Sequence, residues 1–365
     1  MAVIKRVRLS EIAELVTKGT TPTTLGYEFQ DTGVNFLKIE CFSEKGDYIQ
    51  NKATHISEEC HEKLKRSQLK EGDILFSIAG VIGRVAIVTR NMLPANINQA
   101  LAIIRIKKDD IYLPYVKLIL TSPLIKKQFE RKKQGVAQLN ISLKDINDLE
   151  IPLPEIGKQI EYANSFKKVE KLIYTRQYQL QKLDELVKAR FVELFGMPVS
   201  NTKHWKTEKM NRVAPSVNYS GVFDDAVWLL NLDMVESQTG RILNYLIVSK
   251  SEIGNSTCAF DTSNVLYSKL RPYLNKVVIP DRCGFATSEL VPLQPVKEKI
   301  NREYLAFMLR SDEFVNTISE KVAGAKMPRV SMSDFRSFDV PIPPYELQMQ
   351  FTDFVHQVDK SKVVA

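Results

Sequence analysis

Two stretches decide the fold: ISLKDINDLEIPLPEIGKQ at 141–159 and VSMSDFRSFDVPIPPYELQ at 330–348. They are one passage written twice, 189 residues apart. Ser142/Ser331, Asp145/Asp334, Pro152/Pro341, Pro154/Pro343 and Gln159/Gln348 are identical pairs, and Ile141/Val330, Leu149/Phe338 and Ile151/Val340 keep the apolar pattern. Working outward, YVKLILTS (Tyr115–Ser122) matches YLAFMLRS (Tyr304–Ser311) at the same offset of 189. GDILFS at 72–77 meets SNVLYS at 263–268 at an offset of 191, a drift that loop insertions produce. A solenoid unit would repeat every 20–50 residues or so, so this period predicts a duplicated domain.

A chain of 365 residues is long enough for two or three domains, and each half can bury its own core. The content of 44% apolar and 26% charged residues is that of a globular protein. There is no run of 18 apolar residues, and the start (MAVIKRVRLSEIAEL) lacks the apolar core of a signal peptide. Cys41, Cys60, Cys258 and Cys283 are scattered, which points to a reducing, cytoplasmic setting. The net charge of +8 divides as +4 over 1–156, +3 over 157–196 and +1 over 197–365. This mild basic excess is compatible with nucleic acid without demanding it.

The expected organisation is a first mixed α/β domain at 1–156, a long helix at 157–196, a second domain at 197–345 and the start of a second helix at 346–365. In the first domain a helix is expected from Ser10, as N-cap, to Leu15, then a loop at 18–24. Strands are expected at Val34–Ile39, Asp73–Ile78, Arg84–Val88 and Leu101–Ile106, and helices at Pro114–Ser122 and Pro123–Lys133. In 157–196, Phe166, Ile173, Leu180, Val187 and Leu194 recur every seven residues. Val169 and Leu183 fill the positions three residues later, while Arg176 and Arg190 interrupt them. This predicts a helix of roughly 60 Å with a seam that needs a partner helix. Gly196-Met197-Pro198 ends it. Val355 and Val358 lie 189 positions after Phe166 and Val169, so the second helix is expected about 20 residues short of the first. The halves agree poorly at 17–60 against 214–250, as expected for a shared frame carrying different loops. A pseudo-symmetric pair suits a roughly two-fold target, of which duplex DNA is the commonest.

Catalytic motifs are not found. There is no GxxxxGK[ST] phosphate loop, and Gly80-Val81-Ile82-Gly83-Arg84 reads as a hairpin turn. Pro343-Pro344-Tyr345 follows Ile342, not the Asn or Asp of an aminomethyltransferase. Asp184-Glu185 has no carboxylate partner at nuclease spacing. Cys41, His55, Cys60 and His61 match no standard zinc spacing. Binding candidates are better. Lys126, Lys127, Arg131, Lys132 and Lys133 precede the glycine loop at 135–140, and Lys321 precedes another at 324–329. Such segments lay cations and backbone N–H groups on phosphates. Gln138 and Asn140 are of the adenine-reading type, Lys326 and Arg329 of the guanine-reading type. Weaker candidates are Thr20, Thr21, Thr23, Lys38, Arg84 and Asn98 in the first half, and Asn218, Tyr219, Lys269, Arg271, Tyr273, Asn275 and Lys276 in the second.

Taken together, these residues resemble the DNA-specificity (S) subunit of type I restriction-modification systems across essentially the whole chain. The resemblance rests on 72–77, on Gln138–Gln159, on the long helix, on VLYSKLRPYLNK at 265–276 and on VPIPP at 340–344 followed by Gln348. The Gly19-Thr20-Thr21-Pro22 loop followed by Phe36–Ile39 resembles one subclass of that family's recognition domains. It implies an α+β fold, with two pseudo-symmetric mixed α/β target-recognition domains joined by long helices in an antiparallel coiled coil. Each domain would read half of an asymmetric, bipartite site on double-stranded DNA, and the helices would set the gap. The seam of Phe166, Ile173, Leu180, Leu183, Val187 and Leu194 would be the partner-binding helix face. Two methyltransferase (M) subunits carrying S-adenosylmethionine, and restriction (R) subunits using ATP and Mg, would complete the complex. The chain itself would hold no cofactor or metal and perform no catalysis. The short second helix leaves room for another copy of this chain. The alternatives are a DNA-recognition adaptor of another methyltransferase-based defence complex, a cryptic nuclease or methyltransferase, and a protein scaffold built on the coiled coil.

Overall fold

A computed structural model of the chain describes residues 4–107, 110–131, 140–320, 322–323 and 327–364. The chain forms two compact units, Met1–Ile173 and Tyr174–Ala365, each built of short strands and helices.

In the first unit the strands Ala13–Lys18, Leu101–Ile106, Ile74–Ser77 and Val85–Ile87 lie side by side in that order, all antiparallel. Ile74, Phe76 and Ile104 face a core under the helices Leu113–Leu120 and Pro123–Arg131. Leu75, Leu101 and Ile103 face the opposite core, with Leu37, Phe42 and Ile97. Both faces are covered, which is why Ile74–Ser77 and Leu101–Ile106 read as nearly continuous apolar runs. A second sheet pairs Val34–Leu37 antiparallel with Thr54–Ile56 and parallel with Ala95–Ile97. The turn into Ile74 is held by Asp73, 1% exposed, which accepts two 2.7 Å hydrogen bonds from Arg105 and one from the Lys70 N–H. The helix expected from Ser10 is a single turn, Leu9–Ile12, with Arg8 at the N-cap position. Ala13–Lys18 is a strand instead, because Leu101–Ile106 offers it a full ladder that local helix propensity cannot outweigh.

In the second unit Ala226–Leu230 pairs parallel with Gly284–Thr287, flanked by Leu246–Ser249 and Thr257–Phe260. Val265–Ser268 lies between Val277–Val278 and Leu290–Leu293. The helices Arg302–Arg310 and Asp312–Ser319 pack on a core that includes Tyr267, Phe314 and Phe335.

The duplication holds down to single hydrogen bonds. Leu9 N–H donates to Leu149 O and Met210 N–H to Phe338 O, both at 2.8 Å. Val7 pairs with Ile151 as Glu208 pairs with Val340. The Tyr115 hydroxyl donates to Pro152 O and the Tyr304 hydroxyl to Pro341 O. Buried Gln159 accepts from Tyr112 N–H and donates to the carbonyls of Asp110 and Pro154. Buried Gln348 does the same with Asn301 N–H, Lys299 O and Pro343 O.

The long helix runs Ile156–Phe195, and Gly196 follows at φ +75°, as a helix C-terminus favours. The closing helix Tyr345–Val364 packs antiparallel on its last turns: Lys362 meets Asp184 at 2.8 Å, and the Phe351 and Phe195 rings lie 5.5 Å apart. Val187 is therefore buried, and Leu183 and Leu194 are half-buried, in the unit's own core. This corrects their assignment as partner-binding positions. Phe166, Ile173 and Leu180 remain exposed at 49%, 53% and 36%.

Candidate nucleic-acid interface

In the first unit the candidates gather at the carboxyl ends of the parallel pair Val34–Leu37 and Ala95–Ile97. Gly19 opens the threonine loop by donating to Leu101 O. A Cβ there would lie 1.9 Å from Ile97 O, so only glycine permits this approach. The half-buried Thr21 hydroxyl bonds to the Gln99 side chain, Thr24 closes the turn on Thr21 O at 2.6 Å, and Thr23 is exposed. Asn98 follows Ile97, its N–H on Leu37 O and its side chain accepting from Ala100 N–H at 3.3 Å. Lys38 follows Leu37, with its ammonium 4.6 Å from the centre of the Phe29 ring. Exposed Asn140 arrives beside them, because Ile141 N–H donates to Ile78 O and Ile78 N–H to Ala100 O. Thr20, Thr21, Lys38, Asn98 and Asn140 thus come together on one edge. Arg84 turns inward instead, its guanidinium on Phe42 O at 2.8 Å and Ile39 O at 3.3 Å. It is a tether for the 39–42 turn, not a free cation.

The second unit repeats the joint with other side chains. Lys269 N–H donates to Glu289 O and Val330 N–H to Lys269 O, the counterparts of the bonds at Ile78 and Ile141. Arg329 is paired with Glu289 at 2.9 Å. Lys269 is half-buried, Arg271 is exposed, and Tyr273 is 50% exposed. Asn218 is exposed; Tyr219 donates its N–H to Ala259 O, and its ring meets Phe223 edge-on. Lys276 points inward, its ammonium on Leu232 O at 2.8 Å, and burial lowers its pKa. It belongs to the frame. Lys132, Lys133, Gln138 and Lys326 lie outside the described residues.

Sequence reasoning missed Gln238 and Glu289. Gln238 lies 35 residues from the Tyr273 carbonyl it holds, a pairing without a local signature. Gln99 was visible in the polar run 96–99, but not its contact with Thr21. Among the described residues no cluster of His, Cys, Asp and Glu could hold a metal ion. No helix among them is long and apolar enough to cross a membrane.

A family model described as the type I restriction modification DNA specificity domain matches residues 3–185 and 198–363. The EcoDI specificity subunit of a type I restriction enzyme from Escherichia coli is 24% identical over 251 residues, 59% of this chain and 56% of that protein. The EcoBI specificity subunit from the same organism is 32% identical over 142 residues, 38% of this chain and 28% of its own length. The chain thus spans about half, or less, of these two relatives. A chain solved in work on complex assembly and conformational transition of the type I R-M system shares the fold, with a TM-score of 0.63 at 15% identity, covering 99% of this chain and 91% of that one.

Proposed function

The chain belongs to the family of type I restriction modification DNA specificity domains, and on that premise we propose that it is the DNA-recognition subunit of a type I restriction-modification complex. Each unit reads one half of a bipartite site. One observation carries this reading: the units share the frame bonds at Ile78 and Lys269 and at Ile141 and Val330, yet present different side chains at this joint and on the hairpin beside it. The first offers Thr20, Thr21, Lys38, Asn98 and Asn140, the second Lys269, Arg271, Tyr273 and Arg329. Shared frames with different tips suit two half-sites of different sequence.

The chain is a non-catalytic partner in this reading. Methyl transfer belongs to M subunits, which carry S-adenosylmethionine and take the target base out of the duplex. R subunits use ATP and Mg. The exposed seam of Phe166, Val169, Ile173 and Leu180 suits a helical partner, and an M subunit is the one proposed. The test is methylome sequencing of cells expressing the chain with its methyltransferase partner, compared with cells in which residues 198–345 are exchanged. One half of a split motif should change while the other persists. An unchanged methylome from an assembled complex would refute the reading.

A further inference from the structure

The turn at 271–275 in the second unit is built with more care than a surface turn needs. Arg271 and Asn275 bracket it, both in the left-handed region, at φ +49° and +50°. Non-glycine residues rarely hold that conformation unless their surroundings impose it. Here the surroundings do. Arg271 N–H is tied to Pro328 O at 2.8 Å, and Pro272 is buried. Gln238 clasps the turn from behind, its N–H on Leu274 O and its side-chain amide on Tyr273 O, both at 3.0 Å. The Asn275 amide points inward to Arg310 O at 2.9 Å and Gln238 Oε1 at 3.3 Å. Arg310 in turn grips Val277 O.

What this scaffold holds outward is one guanidinium and one phenol. Neither Arg271 nor Tyr273 has a side-chain partner among the described residues, and Tyr273 is half exposed. Among its described residues the first unit carries no such pair of side chains, and the left-handed positions of its matching turn are glycines, Gly80 and Gly83. Its matching hairpin, aligned by Ser77 N–H to Arg84 O and Ser268 N–H to Lys276 O, carries Gly80-Val81-Ile82-Gly83, and Arg84 is turned in.

We propose that the 271–275 turn is a preorganised phosphate clamp that fixes the second unit on the DNA backbone. The chemistry favours phosphate over base edges. The Gln238 and Asn275 amides are turned into the fold, and a phenol hydroxyl is a regular phosphate donor but not one of the usual base-edge readers, so Tyr273 decides for phosphate where Arg271 alone would also suit a guanine edge. Arg271 supplies the charge-assisted contact, Tyr273 a neutral one, and Gln238 and Asn275 are positioning residues. The clamp rests on the DNA-recognition reading above.

The test uses the full chain assembled with its methyltransferase partner. The probes are a duplex carrying the motif mapped in expressing cells and the same duplex with the second half-site scrambled. Arg271→Ala should weaken both by a similar factor, roughly tenfold, and make the slope of log K against log salt shallower by about one. Tyr273→Phe should weaken both and leave the slope unchanged. Asn275→Gly, which keeps the backbone conformation and removes the inward amide, should weaken binding through the two contacts the turn positions, and add nothing to the double variant Arg271→Ala, Tyr273→Phe. A loss confined to one base pair of the motif would make the turn a base reader and overturn the clamp. So would intact binding by both Arg271→Ala and Tyr273→Phe, or a loss of assembly with the methyltransferase alone. If the unaltered complex shows no salt-dependent binding to either duplex, the recognition reading itself fails and the clamp with it.

Discussion

Gln159 and Gln348, 1% and 0% exposed, show what a single residue decides in this chain. Each satisfies one backbone N–H and two carbonyls where a helix begins, and the Gln348 bonds to Asn301 and Pro343 are themselves buried. Gln348→Leu should cost the second unit about 2–4 kcal/mol by orphaning those groups. Trp205 and Trp228, the chain's two tryptophans, both lie in that unit, so urea unfolding followed by tryptophan fluorescence reads the loss directly. Cysteine environment makes a second residue-level prediction. Burial pushes the Cys41, Cys60 and Cys258 thiols up, away from the reactive thiolate, while Cys283 is exposed. Iodoacetamide at mildly alkaline pH should alkylate Cys283 first in the folded protein, and all four only after denaturation, as peptide mass analysis would show. Early modification of Cys41 would contradict the packing around it.

At the scale of elements, the long helix divides into two parts that the heptad pattern does not distinguish. Phe191 touches Phe195, Tyr304 and Phe351, and Val187 is buried beside them. Phe191→Ala should therefore cost about 3–5 kcal/mol by leaving a cavity. Ile173 sits on the same seam but is half exposed, so Ile173→Lys should change stability by no more than about 0.5 kcal/mol. If the proposed M-subunit contact is made by this seam, the same change should sharply weaken that assembly. Thermal unfolding and size-exclusion chromatography of the mixed proteins separate these two outcomes. Equal destabilisation by both variants would show that the exposed stretch is covered within the chain.

For the molecule as a whole, each unit has its own cores. Ile74, Phe76 and Ile104 belong to one in the first unit, Tyr267, Phe314 and Phe335 to one in the second. Self-contained cores and a common frame are what allow one unit to change its loops while the other keeps its own. Under the proposed function, the methylome exchange of residues 198–345 tests this property, since a unit that needed its original neighbour to fold would abolish methylation altogether instead of changing part of the motif.

The sequence by itself determined the duplication, the long helix and the four apolar strands expected in the first unit. These rest on short-range constraints: Ser142 and Ser331 cap their helices three residues before Asp145 and Asp334, apolar residues recur at helical spacing, and Gln follows the proline strand at a set distance. Such signals survive in one dimension because their partners are near in the chain. Only the tertiary structure decided which cations are free. Arg84 and Lys276 look like surface cations in the sequence, yet each ends on a carbonyl 42 and 44 residues away. Arg271 looks no different and is left outward by the clasp of Gln238 and Asn275. Whether a long charged side chain meets water or an orphan carbonyl depends on what the fold carries beside it, and no local pattern encodes that.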